Sequence, residues 1–284
     1  MLVKAKLIWL VVALGATTAL GQAATAVTPD LRDLGSGRSV AMGGAYEAVG
    51  FGVESIGGNP AAISIFKRYQ IEASGMWDIP QAFGNAAIGL IDSTNPLATG
   101  VSYNFTTFGG FDRRWAHVTT LGFSYALGDL LHIGVAGRQQ VIVGAANTNS
   151  ITMNAGLIFR PADWLSLGFS GHNLIPVYNV DTSRYFVASV ASTVASQLTG
   201  AFDVRLDFNQ PVARYALHGG LEWLIAQFLP IRAGYQYDGI GNHHYVSGGL
   251  GYFSDGSGVD LAYRHELGGQ AGRMLTLSLK LQLH

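Results

Sequence analysis

From about Arg68 onward the chain alternates apolar and polar positions with a period of two. The last segment shows this most cleanly. Leu275, Leu277, Leu279, Leu281 and Leu283 alternate with Met274, Thr276, Ser278, Lys280 and Gln282. A strand with this pattern presents leucines on one face and polar groups on the other. The same period recurs through 151–159, 165–170, 202–208 and 259–264. It predicts fourteen strands, near 68–77, 84–91, 97–106, 116–126, 130–141, 149–159, 163–172, 185–191, 198–207, 213–223, 229–237, 243–252, 258–265 and 272–283. Between Phe186 and Ala201 the buried face is ambiguous, and a helix there would leave twelve strands.

Alternating strands build either a soluble sandwich or a membrane barrel, and composition separates the two. Only 12% of residues are charged while 49% are hydrophobic. Soluble domains carry about 25% charge. The most apolar stretch of the strand region, Gly219 to Ile231, is interrupted by Glu222, Gln227 and Pro230. It falls short of the roughly 20 apolar residues of a membrane helix. Low charge without such a helix is what membrane strands produce, because only every second residue meets lipid. The fold class expected is therefore all-β, a transmembrane antiparallel barrel of an outer membrane in a Gram-negative-type envelope. Trp77, Trp115, Trp164 and Trp223 lie at predicted strand ends, where rings form girdles at headgroup depth. An even strand number puts both chain ends in the periplasm. Short turns are then expected on that side at Gly128-Asp129, Pro161-Ala162 and Asp255-Gly256-Ser257, with longer loops outside at 107–115, 142–148 and 173–184.

The first 26 residues read as a secretory signal peptide: Lys4 and Lys6, then apolar Leu7 to Leu14, then Ala24-Thr25-Ala26. Residues 27–66 do not alternate and are rich in glycine. They are expected to form a hatch or plug inside a barrel of residues 67–284. Asn59-Pro60 reads as a turn, with Pro60 placed to open a short helix. The 38 glycines suit a curved sheet around a crowded lumen.

If the apolar face meets lipid, the lumen receives Glu72, His132, Arg138, Asn154, His172, Asp203, Arg205, Asp207, His218, Glu222, Arg232, Gln236, Asp260, Arg264 and Lys280. Both signs are interleaved, whereas an ion-selective pore would carry a ring of one sign. Bracing pairs are the expected role, with Asp203, Arg205 and Asp207 tied to neighbouring strands. The absence of cysteine excludes disulfides and thiol chemistry. His243-His244 fall on opposite faces of any strand and are expected in an outer loop. His172 with Ser170 and Asp203 invites comparison with a hydrolase triad, but no Gly-x-Ser-x-Gly elbow is present. No catalytic site, metal site or cofactor is expected. A net charge of -1 without a basic cluster offers nothing to nucleic acid.

The stretch Arg38-Ser39-Val40-Ala41-Met42-Gly43-Gly44-Ala45-Tyr46, followed by Gly58-Asn59-Pro60-Ala61-Ala62, resembles the N-terminal signature of the FadL-like outer-membrane barrels, especially their PorV/PorQ branch. Leu165 to Leu174 resembles a strand of that branch. The resemblance implies fourteen strands, with a hatch whose motif here is Gly43, Gly44, Ala45, Asn59, Pro60 and Ala61. It implies one of two non-enzymatic roles. One is a barrel component or shuttle of an envelope machine for secretion or surface motility, whose partners are outer-membrane lipid and other envelope proteins. The other is a channel for a hydrophobic ligand. Short outer loops, and the apolar stretches Phe108-Gly109-Gly110-Phe111 and Ile175-Pro176-Val177-Tyr178, favour the machine component. Met76, Ala136 and Gly168 are the few inward apolar or small positions that would favour the channel.

Overall fold

The computed structural model describes residues 31, 34–50, 52–109, 114–144, 147–176, 183–208, 214–239, 242–268 and 272–283. The expected signal peptide lies outside them. Fourteen strands follow in order: β1 Tyr69–Asp78, β2 Phe83–Asp92, β3 Leu97–Phe108, β4 Arg114–Leu127, β5 Leu131–Val143, β6 Thr148–Ala162 and β7 Leu165–His172. Then come β8 Tyr185–Val194, β9 Leu198–Asp207, β10 Arg214–Ile225, β11 Leu229–Asp238, β12 His243–Ser254, β13 Ser257–Leu267 and β14 Arg273–Leu283. Each pairs antiparallel with its sequence neighbours, and β1 closes on β14 from Tyr69↔Leu283 to Asp78↔Met274. Closure leaves no sheet edge to satisfy in lipid.

Side-chain phase follows the sequence pattern. Leu279 is 56% exposed on the outside, while Ser278 beside it is fully buried in the lumen. Trp77 and Trp115 stand outward at one end of the barrel, and Trp164 and Trp223 at the other, all exposed. An apolar exterior with rings at both rims and a polar interior is that of a barrel crossing an outer membrane. Among the described residues no helix is long and apolar enough to cross one.

The stretch that allowed twelve strands resolves into β8, a tight turn and β9. Ala195 and Ser196 make that turn at φ 51° and 55°. Consecutive left-handed residues suit the twist of a hairpin but are usually Asn or Gly, so the turn carries no sequence signal. Pro161-Ala162 is not the turn expected of it. Both belong to β6, whose pairing with β7 shifts register between Phe159 and Ala162; the turn is Asp163-Trp164. Proline has no N–H to give the ladder, so the irregularity falls there. His243 and His244 open β12 rather than sitting in an outer loop, and they do face opposite ways.

Residues 34–50 and 52–65 run inside the barrel. Helix α1, Gly37–Ala41, is capped by Ser36 and Ser39, each backbone N–H meeting the other's hydroxyl. Gly43 and Gly44 then reverse the chain at φ 67° and 81°, values open to glycine. Helix α2, Glu54–Gly57, leads to a 3-10 helix, Pro60–Ser64, capped where Ala61 N–H donates to Asn59 Oδ1 at 3.1 Å.

The segment fits because the wall has a belt of inward glycines at its height. A Cβ on Gly134 of β5 would collide with the backbone of Pro60 and Ala61. On Gly220 of β10 it would meet Met42, and on Gly234 of β11 the Met42–Gly43 peptide. Gly89, Gly100 and Gly122 receive Val53, Ile56 and Ile63 in the same way. By contrast, a Cβ on outward Gly137 meets nothing.

The Gly234→Val variant is therefore expected to keep a closed barrel, still shifting in gel mobility on boiling. Residues 34–66 should become cleavable by added protease in the folded protein. Gly137→Ala should leave both properties unchanged.

Candidate functional site: the filled lumen

The inward charges form one ladder. Arg38 of α1 grips Glu222 of β10 through two bonds, Nε to Oε2 at 2.8 Å and Nη2 to Oε1 at 2.7 Å. Glu222 also accepts from its cross-strand partner Arg232 at 2.5 Å. Arg232 reaches over β12 to Asp260 at 2.5 Å, in space that a Cβ on Gly251 would fill. Lys280 then joins Asp260 at 3.0 Å to Glu72 at 3.6 Å, crossing the β14–β1 closure. Glu72 accepts in turn from Gln70 and from the Val53 N–H. The ladder thus begins and ends on the inner segment. Burial opposes the Arg38 charge, but Glu222 more than offsets this and raises its pKa.

A second group holds the next part of the segment. Asp203 Oδ2 accepts the N–H groups of Tyr46 and Glu47 at 2.9 and 3.1 Å. It ties the segment to the wall, not β9 to its neighbours as the sequence suggests. Glu47 accepts from Ser170 and lies 3.1 Å from His172 Nε2. Burial raises the Glu47 pKa, while His172 and Ser170 more than reverse that, leaving it below the ordinary carboxylate value. His172 stacks on Tyr185 at 4.3 Å. Ser170 and Glu47 both meet the same imidazole nitrogen, so no proton relay runs through the ring, and Asp203 is engaged elsewhere.

Most of the remaining inward polar residues brace the inner segment or a nearby strand. His218 Nδ1 lies 3.0 Å from Gly43 O, and His132 Nδ1 lies 2.9 Å from Ser64 Oγ. Arg138 donates to Leu31 O, Asn154 to Gly57 O and Arg264 to Gln236. Asp207 accepts from Ser183, and Arg205 lies 3.8 Å from Asp238. Among the described residues no group of three His, Asp or Glu side chains is placed to hold a metal.

The outer mouth is divided. Its polar half carries Arg264, Gln236 and a His243–Glu266 pair at 2.5 Å. Its other half, from β14 round to β5, carries an apolar cluster beside the buried polar side chains of Asp78, Asn85 and Thr106. Met76, Phe83, Phe108, Val118, Ile142 and Met274 pack with Leu31 and Leu34 in one buried cluster. Phe83 and Phe108 meet edge to face at 5.7 Å. Sequence reasoning found Met76 here, but missed Phe83, Phe108, Ile142 and Met274. Their signal was present: each is an apolar residue in the polar phase of its strand, near the outer end. Arg38 and Glu47 were missed because residues outside the alternation have no phase to read.

Beneath the cluster lie two cavities of about 50 and 70 Å³, which share Leu34, Gly35, Tyr46 and Tyr185. The larger is lined also by Leu31, Val53, Val118, Glu72 and Arg138.

Solved structures of the same architecture include proteins named as hydrocarbon channels and toluene transporters. The chain is similar to the monoaromatic hydrocarbon channel CymD, with 14% identity, a TM-score of 0.71, and 87% of this chain and 97% of that one covered. It is similar to the Ralstonia pickettii toluene transporter TbuX, at 11% identity and a TM-score of 0.67 over 88% of this chain and 98% of that one. A Pseudomonas aeruginosa FadL homologue gives 12%, 0.65, 88% and 98%. The fold is that of the FadL-type outer-membrane barrels. No protein-family model and no curated protein matches the sequence. The FadL-type fold accounts for the fourteen strands and the outer-membrane setting.

Truncating one member of the ladder leaves buried charge uncompensated. Such losses cost about 3–5 kcal/mol. Glu222→Ala, which removes the carboxylate that Arg38 and Arg232 share, is expected to lower the temperature at which the folded gel band disappears. Asp207→Asn, outside the ladder, should change it much less.

Proposed function

We propose that this barrel is a non-enzymatic channel for hydrophobic small molecules, with residues 27–66 serving as its hatch. The observation that carries the reading is the apolar half-mouth, Phe83, Phe108, Ile142, Met76 and Met274, continuous through Leu31 and Leu34 with the larger cavity. The cluster is buried, and it places apolar side chains in the polar phase of five strands, where a lumen braced only by paired charges would carry polar ones. The neighbours named as hydrocarbon channels and toluene transporters support the same class of solute.

The cavities set a condition on passage. An engineered cavity of about 150 Å³ takes up benzene. Those here, at about 50 and 70 Å³, are smaller. A monoaromatic solute therefore passes only when the hatch leaves the wall.

The envelope-machine role has less behind it. Phe108 is turned into the lumen against Phe83 rather than offered to a partner. Ile175 is exposed, but Phe111, Val177 and Tyr178 lie outside the described residues. The motif residues shared with the PorV/PorQ branch are accounted for by hatch contacts, which either role requires.

The chain has no cysteine, which makes a direct test clean. Ser64 Oγ of the 3-10 helix and Ser124 Oγ of β4 are 2.8 Å apart. The Ser64→Cys/Ser124→Cys variant is expected to cross-link hatch to wall. Cells carrying the wild-type barrel should take up radiolabelled toluene faster than cells without it. The oxidised variant should abolish the gain and reduction restore it. Uptake by wild type no faster than by cells without the barrel sinks the channel reading. Unchanged uptake through the oxidised variant sinks the moving hatch.

A further inference from the structure

Strand alternation leaves some polar side chains on the lipid-facing surface. His244 of β12 and His265 of β13 point outward near the outer ends of adjacent strands. Each imidazole Nδ1 is held by a tyrosine hydroxyl, His244 by Tyr235 at 2.6 Å and His265 by Tyr263 at 3.2 Å. Where the hydroxyl donates to Nδ1, the neutral ring's proton sits on Nε2 and can be given to a ligand. Arg273, exposed at the outer end of β14, is the cross-strand partner of His265. Directly opposed residues have Cβ atoms about 4.5–5.5 Å apart. His244 lies diagonally across the next pair, since Val246 opposes His265 and Leu267 opposes His244.

Among the described residues the stripe has no acidic counterpart on its own face. At this height Asp78, Asp238 and Glu266 are all buried on the lumen side. Below it, toward mid-membrane, stand exposed Val246, Leu261 and Leu275. Donors and a fixed cation at the rim above an apolar track match a lipid with an anionic headgroup. Charged groups cost far less near the interface than at the midplane, so the barrel tolerates them at the rim.

We propose that the outward face of β12–β14 at the outer rim, His244, His265 and Arg273, binds the phosphate of an outer-leaflet lipid whose acyl chains lie along Leu261 and Leu275. The site is separate from the channel and does not depend on it.

His117 of β4 supplies an internal comparison. Its Nδ1 is also held by a tyrosine, Tyr103, at 2.7 Å, but its cross-strand partners are Phe105 and Val141. It therefore has the geometry without the cation. The test uses the purified full-length barrel in phosphatidylcholine nanodiscs doped with lipid A, or with lipid A stripped of its phosphates. Lipid retained after mild detergent extraction is counted by native mass spectrometry. The wild type should retain the phosphorylated lipid and lose the stripped one. Arg273→Gln/His265→Gln should lower retention about fivefold or more, the effect of roughly one interfacial charge. His117→Gln should match the wild type. Equal retention of both lipids by the wild type overturns the proposal without recourse to any variant. So does full retention by a double variant that still shows the mobility shift of a folded barrel.

Discussion

The interior of this barrel is filled by its own chain, and everything else follows from the closeness of that fit. Backbone of Met42–Gly43 and of Pro60–Ala61 lies where wall side chains would otherwise begin, so the strands present glycine there. Glycine inside a strand costs roughly 0.5–1 kcal/mol relative to alanine. Several strands carry that cost at one height, and it is offset only if the segment stays docked. The glycines and the segment are thus two halves of one device. An empty barrel of this sequence would carry the cost of the belt without its return.

Docking alone does not fix orientation, because a glycine belt is smooth. The charge ladder does. Arg38 finds two carboxylate oxygens of Glu222 in fork geometry, and the chain of pairs returns to the segment at the Val53 N–H. Buried ion pairs seldom add net stability over an apolar replacement, but breaking one is costly. Here the pairs act as a register mark. One arrangement of the segment satisfies the ladder, and a segment slid along the belt would strand several charges at once. The ladder also crosses the β1–β14 closure through Lys280 and Glu72, so the same groups that orient the segment mark correct closure.

The wall was legible from the alternation, which reports which face each residue takes. Fourteen strands, the lumen-facing charges and the helix opened by Pro60 all follow from local pattern. What stayed hidden depends on what lies across the lumen. The belt looked like glycine scattered through a curved sheet, because nothing local says that Gly234 faces a peptide and Gly137 faces lipid. The turn at Ala195-Ser196 hid because its residues are not those its φ values favour. The apolar half-mouth hid in plain sight. Met274 shares the phase of Thr276, Ser278 and Lys280, and reading it as one of a polar set concealed an apolar residue placed inward.

The two sides of the lumen hold the segment by different physics, and this bears on how it can move. Toward β9–β14 the contacts are charged: Arg38 with Glu222, and Asp203 with two N–H groups. Toward β2–β6 Arg138 of β5 holds Leu31 O, but the contacts of residues 53–64 there are neutral. Val53, Ile56 and Ile63 pack on glycines, Ser64 meets Ser124, and Asn154 donates to Gly57 O. A neutral hydrogen bond contributes about 0.5–1.5 kcal/mol net, and one to a charged group about 1.5–3. Separation therefore costs least along β2–β6. That is also the side on which Phe83, Phe108 and Ile142 form the apolar mouth. A solute arriving there meets the weakly held edge of the hatch, and the ladder on the far side keeps the displaced segment attached to the wall.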